Sequence, residues 1–170
     1  MSKVAIVTGA SRGIGREICK ELAKNSHRVI AVARSKQPLQ ELADRFKHIT
    51  AVPADLTDQE NVETLVNYVQ EDFSGVDILI NNAGALINKT FEELTLDEWR
   101  SQLESNVISA IHITKKLLPQ FNSDAHIVNI SSMGGFQGSS KFPGLAAYSV
   151  SKGALSILTE CLAVELSNKN

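Results

Sequence analysis

Tyr148 and Lys152 stand four residues apart in Gly144-Leu-Ala-Ala-Tyr-Ser-Val-Ser-Lys-Gly-Ala-Leu. On a helix that spacing puts a phenol and an amine on one face, one turn apart. A free phenol titrates near ~10 and exchanges protons poorly at neutral pH. A neighbouring ammonium favours the phenolate and brings such a group toward the working range of a general acid or base. The pair therefore suits proton transfer to or from an oxygen. The same spacing also describes a solvated pair on a surface helix, so the rest of the chain has to supply the context.

That context begins near the N-terminus. Lys3 to Thr8 is a short apolar run of the kind buried on both faces of a sheet. Gly9, Gly13 and Gly15 follow in Thr8-Gly-Ala-Ser-Arg-Gly-Ile-Gly, and Ile14, Ile18 and Leu22 then mark one face of a helix. Strand, glycine turn and helix together form the setting of a dinucleotide site. Glycines admit the pyrophosphate, and the helix N-terminus offers it unpaired N–H groups. The spacing is Gly-x-x-x-Gly-x-Gly rather than Gly-x-Gly-x-x-Gly, and a glycine turn without a ligand is the competing reading.

Arg28 to Ala33 forms a second strand, ending in Ala33-Arg34-Ser35-Lys36. An acid near this point would hold bare ribose hydroxyls, whereas arginine suits a 2′-phosphate. No acid stands between Glu21 and Glu41, and Arg12 lies in the glycine turn. Two guanidinium groups make sense for a phosphate, so the expected cofactor is NADP, with NAD second. Arg34 and Lys36 also suit solvated loop charges.

Three further strands are expected, at His48 to Ala54, Val76 to Ile80 and Ala125 to Ser131. Asp55 and Asn81-Asn-Ala-Gly84 follow two of them, at the carboxyl ends where ligands sit in open α/β sheets. Asp55 also suits a plain turn. Thr57-Asp-Gln-Glu60 and Thr95-Leu-Asp-Glu98 read as capping boxes. The helix after Thr95 is expected to run on to Leu118. It contains Asn106, a poor helix-interior residue because it competes with the backbone for hydrogen bonds. Its apolar residues, Val107, Ile108, Ala110, Ile111, Ile113, Leu117 and Leu118, exceed one stripe, which suggests a second copy of the chain as partner. Met133 to Gly144 is a Gly- and Ser-rich loop long enough to be functional.

The 170 residues suffice for one domain, and 43% hydrophobic with 21% charged residues is ordinary for a globular protein. A net charge of −2 offers nothing to nucleic acid or an anionic membrane. Cys19 and Cys161 read as small core residues in a reducing cytosol. No apolar run reaches the length of a membrane span, and Met1-Ser-Lys enters a strand at once, so the expectation is a cytoplasmic protein without a signal peptide.

In this order the residues resemble the short-chain dehydrogenase/reductase family, and within it the bacterial NADP-dependent carbonyl reductases. The matching pieces are Thr8 to Gly15, Asp55, Asn81 to Gly84, Asn106, Ile130-Ser-Ser132 and Tyr148-x-x-x-Lys152. The resemblance implies an α/β fold with a doubly wound parallel sheet of Rossmann type and hydride transfer between NADP(H) and a carbonyl or secondary alcohol. It assigns Gly9, Ser11, Gly13, Ile14 and Gly15 to the pyrophosphate, and Arg12 and Arg34 to the 2′-phosphate. Asp55 would meet the adenine amino group, with Asn82, Ala83 and Gly84 beside the adenine ribose. Tyr148 would be the general acid in reduction, and Ser132 would hold the substrate oxygen. Lys152 would hold the nicotinamide ribose, and Asn106 would position a relay water. No metal is implied, and a homodimer or homotetramer is.

Two departures from the family pattern carry expectations. The interval from Ser132 to Tyr148 is long, which keeps Ser131 as a second candidate for the serine role. Residues 1–170 also read as a single dinucleotide-binding domain that stops after the fifth strand and its helix, without the C-terminal substrate-binding segment. The expectation is a five-stranded sheet, weakened cofactor binding and low or no turnover. A non-catalytic dinucleotide-binding or dimerisation module is the alternative.

Overall fold

The structure, a computed structural model, describes residues 2–167. β1 (Val4–Thr8) is buried at every position because it lies inside the sheet with helices on both faces. Alternation along it divides the core in two. Val4 and Ile6 join one apolar cluster and Val7 the other. α1 (Gly13–Lys24), β2 (Arg28–Ala33), α2 (Lys36–Arg45) and β3 (Ile49–Pro53) follow in turn. Cys19 and Ala23 of α1 and Leu39 and Leu42 of α2 pack in the cluster of Val7.

α3 (Gln59–Asp72) leads to β4 (Val76–Asn81). Its stripe Val62, Leu65, Val66 and Val69 is buried in the cluster of Ile6, together with Ile113 and Leu117. Full burial of such side chains contributes about 1.5–3 kcal/mol each. The five strands are parallel, in the order β3-β2-β1-β4-β5, with β5 (Phe121–Asn129) at one edge. The expected doubly wound parallel sheet is therefore what forms. The order reverses between β1 and β4, and a crevice opens at such a reversal beyond the carboxyl ends of the strands.

Two helix starts turn out differently from each other. Thr95 and Glu98 form the expected capping box at α4 (Leu96–Leu103). The second expected box does not form. Asp58 caps α3 by accepting from Asn61 N at 2.8 Å, and the Thr57 hydroxyl turns back to Asp55 Oδ1 at 2.8 Å. Asp at position 58 is as good a cap as Thr, and the bond to Asp55 leaves Thr57 outside the helix.

The helix expected from Thr95 to Leu118 is interrupted. Residues Glu104–Ile108 form a π-helical turn between α4 and α5 (Ser109–Leu117). Asn106 lies in that turn, and such insertions widen the helix to aim a side chain out of register. α6 (Ala146–Glu165) carries the Tyr–Lys pair. Cys19 is buried, which pushes its thiol up to about 12, whereas Cys161 is exposed, contrary to expectation.

Candidate active site

The carboxyl ends of the strands border a crevice of 910 Å³. Gly9 and Gly13 have φ of +66° and +56°, a conformation that L side chains rarely adopt. A Cβ on Gly9 would also stand 2.8 Å from Asn82 Nδ2 and 2.9 Å from Ala83 Cα. The two loops are that close because they are tied together. Thr8 Oγ1 accepts from Asn82 N at 3.0 Å and Ala83 N at 2.9 Å, and Asn82 Nδ2 donates to Thr8 O at 2.9 Å. The Asn82 side chain thus holds the glycine turn in shape.

At α1 the N-cap residue, Arg12, makes no side-chain capping bond, and the first turn has no acid. Its leading N–H groups are left facing the crevice, together with the positive end of the helix dipole. Ser11, Gly13 and exposed Ile14 line the crevice beside them. Gly15 is placed differently. It is buried behind the turn, where a Cβ would lie 2.6 Å from Gly9 O, so its contribution is close helix–turn packing.

Arg12, Arg34 and Asp55 line the crevice as well. Asp55 Oδ1 holds its own turn by accepting from Thr57 N at 3.0 Å, while Oδ2 lies 3.9 Å from Arg34 Nη1. The Arg34 side chain is 77% exposed, so this ion pair contributes little to stability. The guanidinium is free to turn toward an anion.

Gly84 joins the crevice to a second group of polar side chains. Its Cβ position lies 3.1 Å from Asn106 Oδ1 and 3.4 Å from Lys152 Nζ. Asn106 is fully buried. It accepts from Ala85 N at 2.7 Å and donates to Ala85 O at 3.0 Å and Ser151 Oγ at 2.8 Å. Ser151 Oγ donates in turn to Tyr148 O at 2.7 Å. The π turn thereby fixes the first turn of α6.

Lys152 Nζ donates to Ile130 O at 2.7 Å and lies 6.0 Å from the centre of the Tyr148 ring. The Tyr148 hydroxyl makes no hydrogen bond among the described residues. Ser132 approaches through a tight turn at Met133–Gly135. Its Oγ accepts from Gly134 N at 3.3 Å, and a Cβ on Gly134 would lie 2.8 Å from Ser149 Oγ. Ser132 and the start of α6 are therefore neighbours, and the serine proton has no acceptor among the described residues.

Ser131 is committed elsewhere. Its Oγ donates to Lys152 O at 2.7 Å and pairs with Ser156 Oγ at 2.9 Å, pinning α6 to the end of β5. Of the two adjacent serines, Ser132 is the one left with a free proton.

Three contributors went unnoticed in the sequence. Thr8 clamps the two loops. Ser151 links Asn106 to α6. Buried Gln102 donates to Ala85 O and accepts from Ile87 N at 2.9 Å. Gln102 lies four residues before Asn106, and that shared helix face was a usable signal.

Lys152 is 4% exposed and pairs with no carboxylate among the described residues. Burial lowers its pKa from 10.5. The unfolded chain therefore binds the extra proton between the lowered value and 10.5, and this group's contribution to stability rises with pH across that window. Denaturant titrations of wild type and Lys152→Met should show the difference in stability shifting in favour of wild type from pH 7 to pH 10. A difference independent of pH would contradict the burial.

The model of the short chain dehydrogenase family matches residues 3–170. The chain belongs to that family. An uncharacterized oxidoreductase of Staphylococcus aureus strain USA300 is 33% identical over 169 residues, covering 97% of this chain and 72% of that protein. One from Staphylococcus epidermidis is 31% identical over 168 residues, with the same shares covered. The crystal structure of a short-chain dehydrogenase from Streptomyces avermitilis superposes with a TM-score of 0.91 at 37% identity. That match takes in 98% of this chain and 61% of the Streptomyces chain, so the chain spans less than two thirds of that relative.

Membership implies a nicotinamide dinucleotide cofactor. The residues fit such a cofactor, with an uncapped helix N-terminus, a glycine turn whose close approach at Gly9 leaves no room for a Cβ, and a crevice that reaches Asn106 and Lys152 beside Gly84. Among the described residues no helix is long and apolar enough to cross a membrane, and no cluster suits a metal ion.

Proposed function

We propose that this short-chain dehydrogenase moves hydride between NADP(H) and a carbonyl or secondary alcohol, with Tyr148 as proton donor and acceptor. The observation that carries the reading is Gly84, where the crevice of the glycine turn meets Asn106 and Lys152 within 3.4 Å of one Cβ position.

The α1 N-terminus, Gly9, Gly13 and Ser11 would hold the pyrophosphate, with Asp55, Ala83 and Gly84 along the adenosine half. NADP(H), when bound, supplies or accepts the hydride. Ser132 donates a hydrogen bond to the substrate oxygen and keeps its proton, stabilising charge that builds there during reduction. Tyr148 delivers the proton to that oxygen, and the Lys152 ammonium favours the phenolate left behind. Asn106 acts through Ala85 and Ser151 by holding the loop and α6 in position. The test is ketone reduction followed by loss of reduced nicotinamide absorbance, together with the Tyr148 variant treated in the Discussion.

Arg12 and Arg34 support NADP over NAD, since two exposed guanidinium groups lining the crevice suit a phosphate dianion. Arg34→Glu is expected to weaken NADPH by ~10-fold or more while NADH binds as well or better, as loss of a charge-assisted phosphate contact implies. Calorimetry with both nucleotides reads this directly. An unchanged preference would remove the phosphate assignment.

Ile108, the last residue of the π turn, and Ile111 of α5 remain 45% and 36% exposed. We assign these two side chains to an interface with a second copy of the chain. Sedimentation of Ile108→Asp with Ile111→Asp should show a lower oligomer than wild type.

A further inference from the structure

The long interval between Ser132 and Tyr148 is a built loop. The Lys141 ammonium donates to Gly134 O at 2.7 Å, Phe136 O at 2.7 Å and Ser139 Oγ at 2.9 Å. All three of its donors are used inside the loop. Ser139 Oγ lies 2.6 Å from Met133 O and 2.8 Å from Phe136 O, and its single proton is shared between these two carbonyls. At the far end Lys89 N donates to Gly144 O at 3.1 Å, and a Cβ on Gly144 would stand 2.2 Å from Asn88 Oδ1. The loop after β5 thus leans on the loop after β4.

With its carbonyls drawn toward one ammonium, the loop leaves Met133, Phe136 and Phe142 in solvent, at 75%, 66% and 62% exposure. The facing loop adds Leu86 at 52%. Large apolar side chains grouped on loops mark a binding surface. The loop begins next to Ser132 and ends just before Tyr148, and the Cβ position of Gly134, whose carbonyl Lys141 holds, lies 3.8 Å from Ser132 Oγ and 2.8 Å from Ser149 Oγ, so the loop adjoins the proposed proton-transfer groups.

We infer that Lys141 is a positioning residue that shapes an apolar wall from Met133, Phe136 and Phe142, and that the substrate is a carbonyl compound with an aromatic or long alkyl substituent. This rests on the reading of Ser132 and Tyr148 as the groups that meet the carbonyl. The substituent covers the wall while the oxygen faces the serine and the phenol. Lys141 touches neither the substrate nor the cofactor.

The test is calorimetric binding of a phenyl alkyl ketone and of butanone to the chain, for wild type, Lys141→Met, Lys141→Arg and the double variant Phe136→Ser/Phe142→Ser. Wild type should prefer the phenyl ketone by ~10-fold or more, the scale on which an apolar pocket discriminates. Lys141→Met and the double variant should lose most of that preference, and Lys141→Arg should keep it because it retains several donors. Thermal melting separates loss of preference from loss of fold in Lys141→Met. The double variant leaves Lys141 in place and tests the wall independently.

Equal or absent binding of the phenyl ketone by wild type overturns the inference. So does a preference that survives both Lys141→Met and the double variant. Tyr148→Phe turnover keeps the two readings apart. Turnover lost without a phenyl preference leaves the catalytic reading and removes the wall. A preference lost in the wall variants, with turnover persisting in Tyr148→Phe, does the reverse.

Discussion

Tyr148→Phe should lower carbonyl reduction by ~10²–10⁴-fold, the range over which a positioned general acid acts, and leave nucleotide affinity and thermal stability close to wild type. The reason for so clean a separation is that the Tyr148 hydroxyl bonds to nothing among the described residues. α6 is held instead by Ser151 Oγ to Tyr148 O at 2.7 Å and by Ser131 Oγ to Lys152 O at 2.7 Å. Phenylalanine keeps the ring next to Lys152 and removes only the transferable proton. Steady-state turnover, nucleotide calorimetry and a melting curve form the measurement. Turnover within a few-fold of wild type would remove Tyr148 as the proton donor, whatever the family resemblance implies.

Gly15→Ala carries the largest expected effect on the fold. In an unconstrained helix this change would stabilise by up to ~1 kcal/mol. Here a Cβ would stand 2.6 Å from Gly9 O and 2.5 Å from Asn82 Nδ2. Gly9 O belongs to a turn already pressed against Ala83, so the clash is with backbone that has little room to move. Overpacking of this kind costs about 1–3 kcal/mol, enough to reverse the sign of the helix preference.

Asn82 holds the turn through Thr8 O, so its displacement should also weaken the dinucleotide, by ~10-fold or more, since about 1.4 kcal/mol lost in positioning is tenfold in affinity. Gly13→Ala supplies the contrast. Nothing lies within 4 Å of its Cβ position, and its only strain is φ of +56°, which costs about 1–2 kcal/mol. Denaturation midpoints with nucleotide calorimetry compare the two. A Gly15→Ala protein as stable as wild type, with unchanged affinity, would show that α1 does not need its close approach to the turn.

Much of the fold was legible because its signals are local. β1 reads as a buried strand from five residues, and the glycine turn from three glycines at its end. Thr95 and Glu98 announce a helix start that forms as expected. Thr57 and Glu60 carry the same letters and do not, because Asp58 competes for the cap and Asp55 captures the Thr57 hydroxyl. Such a competition depends on where a neighbouring loop lies, which spacing does not encode.

The candidate site divides along the same line. The types and order of Tyr148, Lys152, Ser132 and Asn106 were readable, as were the family and the parallel sheet. The choice between Ser131 and Ser132 was not, because it turns on which hydroxyl finds an acceptor on α6. Nor was the π turn around Asn106, which the sequence marks only as an awkward residue in a helix. Cys161 reads as core and is exposed, since the apolar pattern of α6 does not say which of its faces is covered.

By itself, then, the sequence determined the menu: which strands and helices to expect, which side chains have the chemistry to exchange a proton, and where a glycine turn follows a strand. These follow from side-chain chemistry and short-range periodicity. Only the tertiary structure decided that the crevice meets Lys152 and Asn106 at Gly84, that Gly15 packs rather than lines, and that Lys141 closes a loop. Each of those rests on contacts between segments far apart in the chain, formed when the two faces of the sheet bury their helices and the loop ends are carried together.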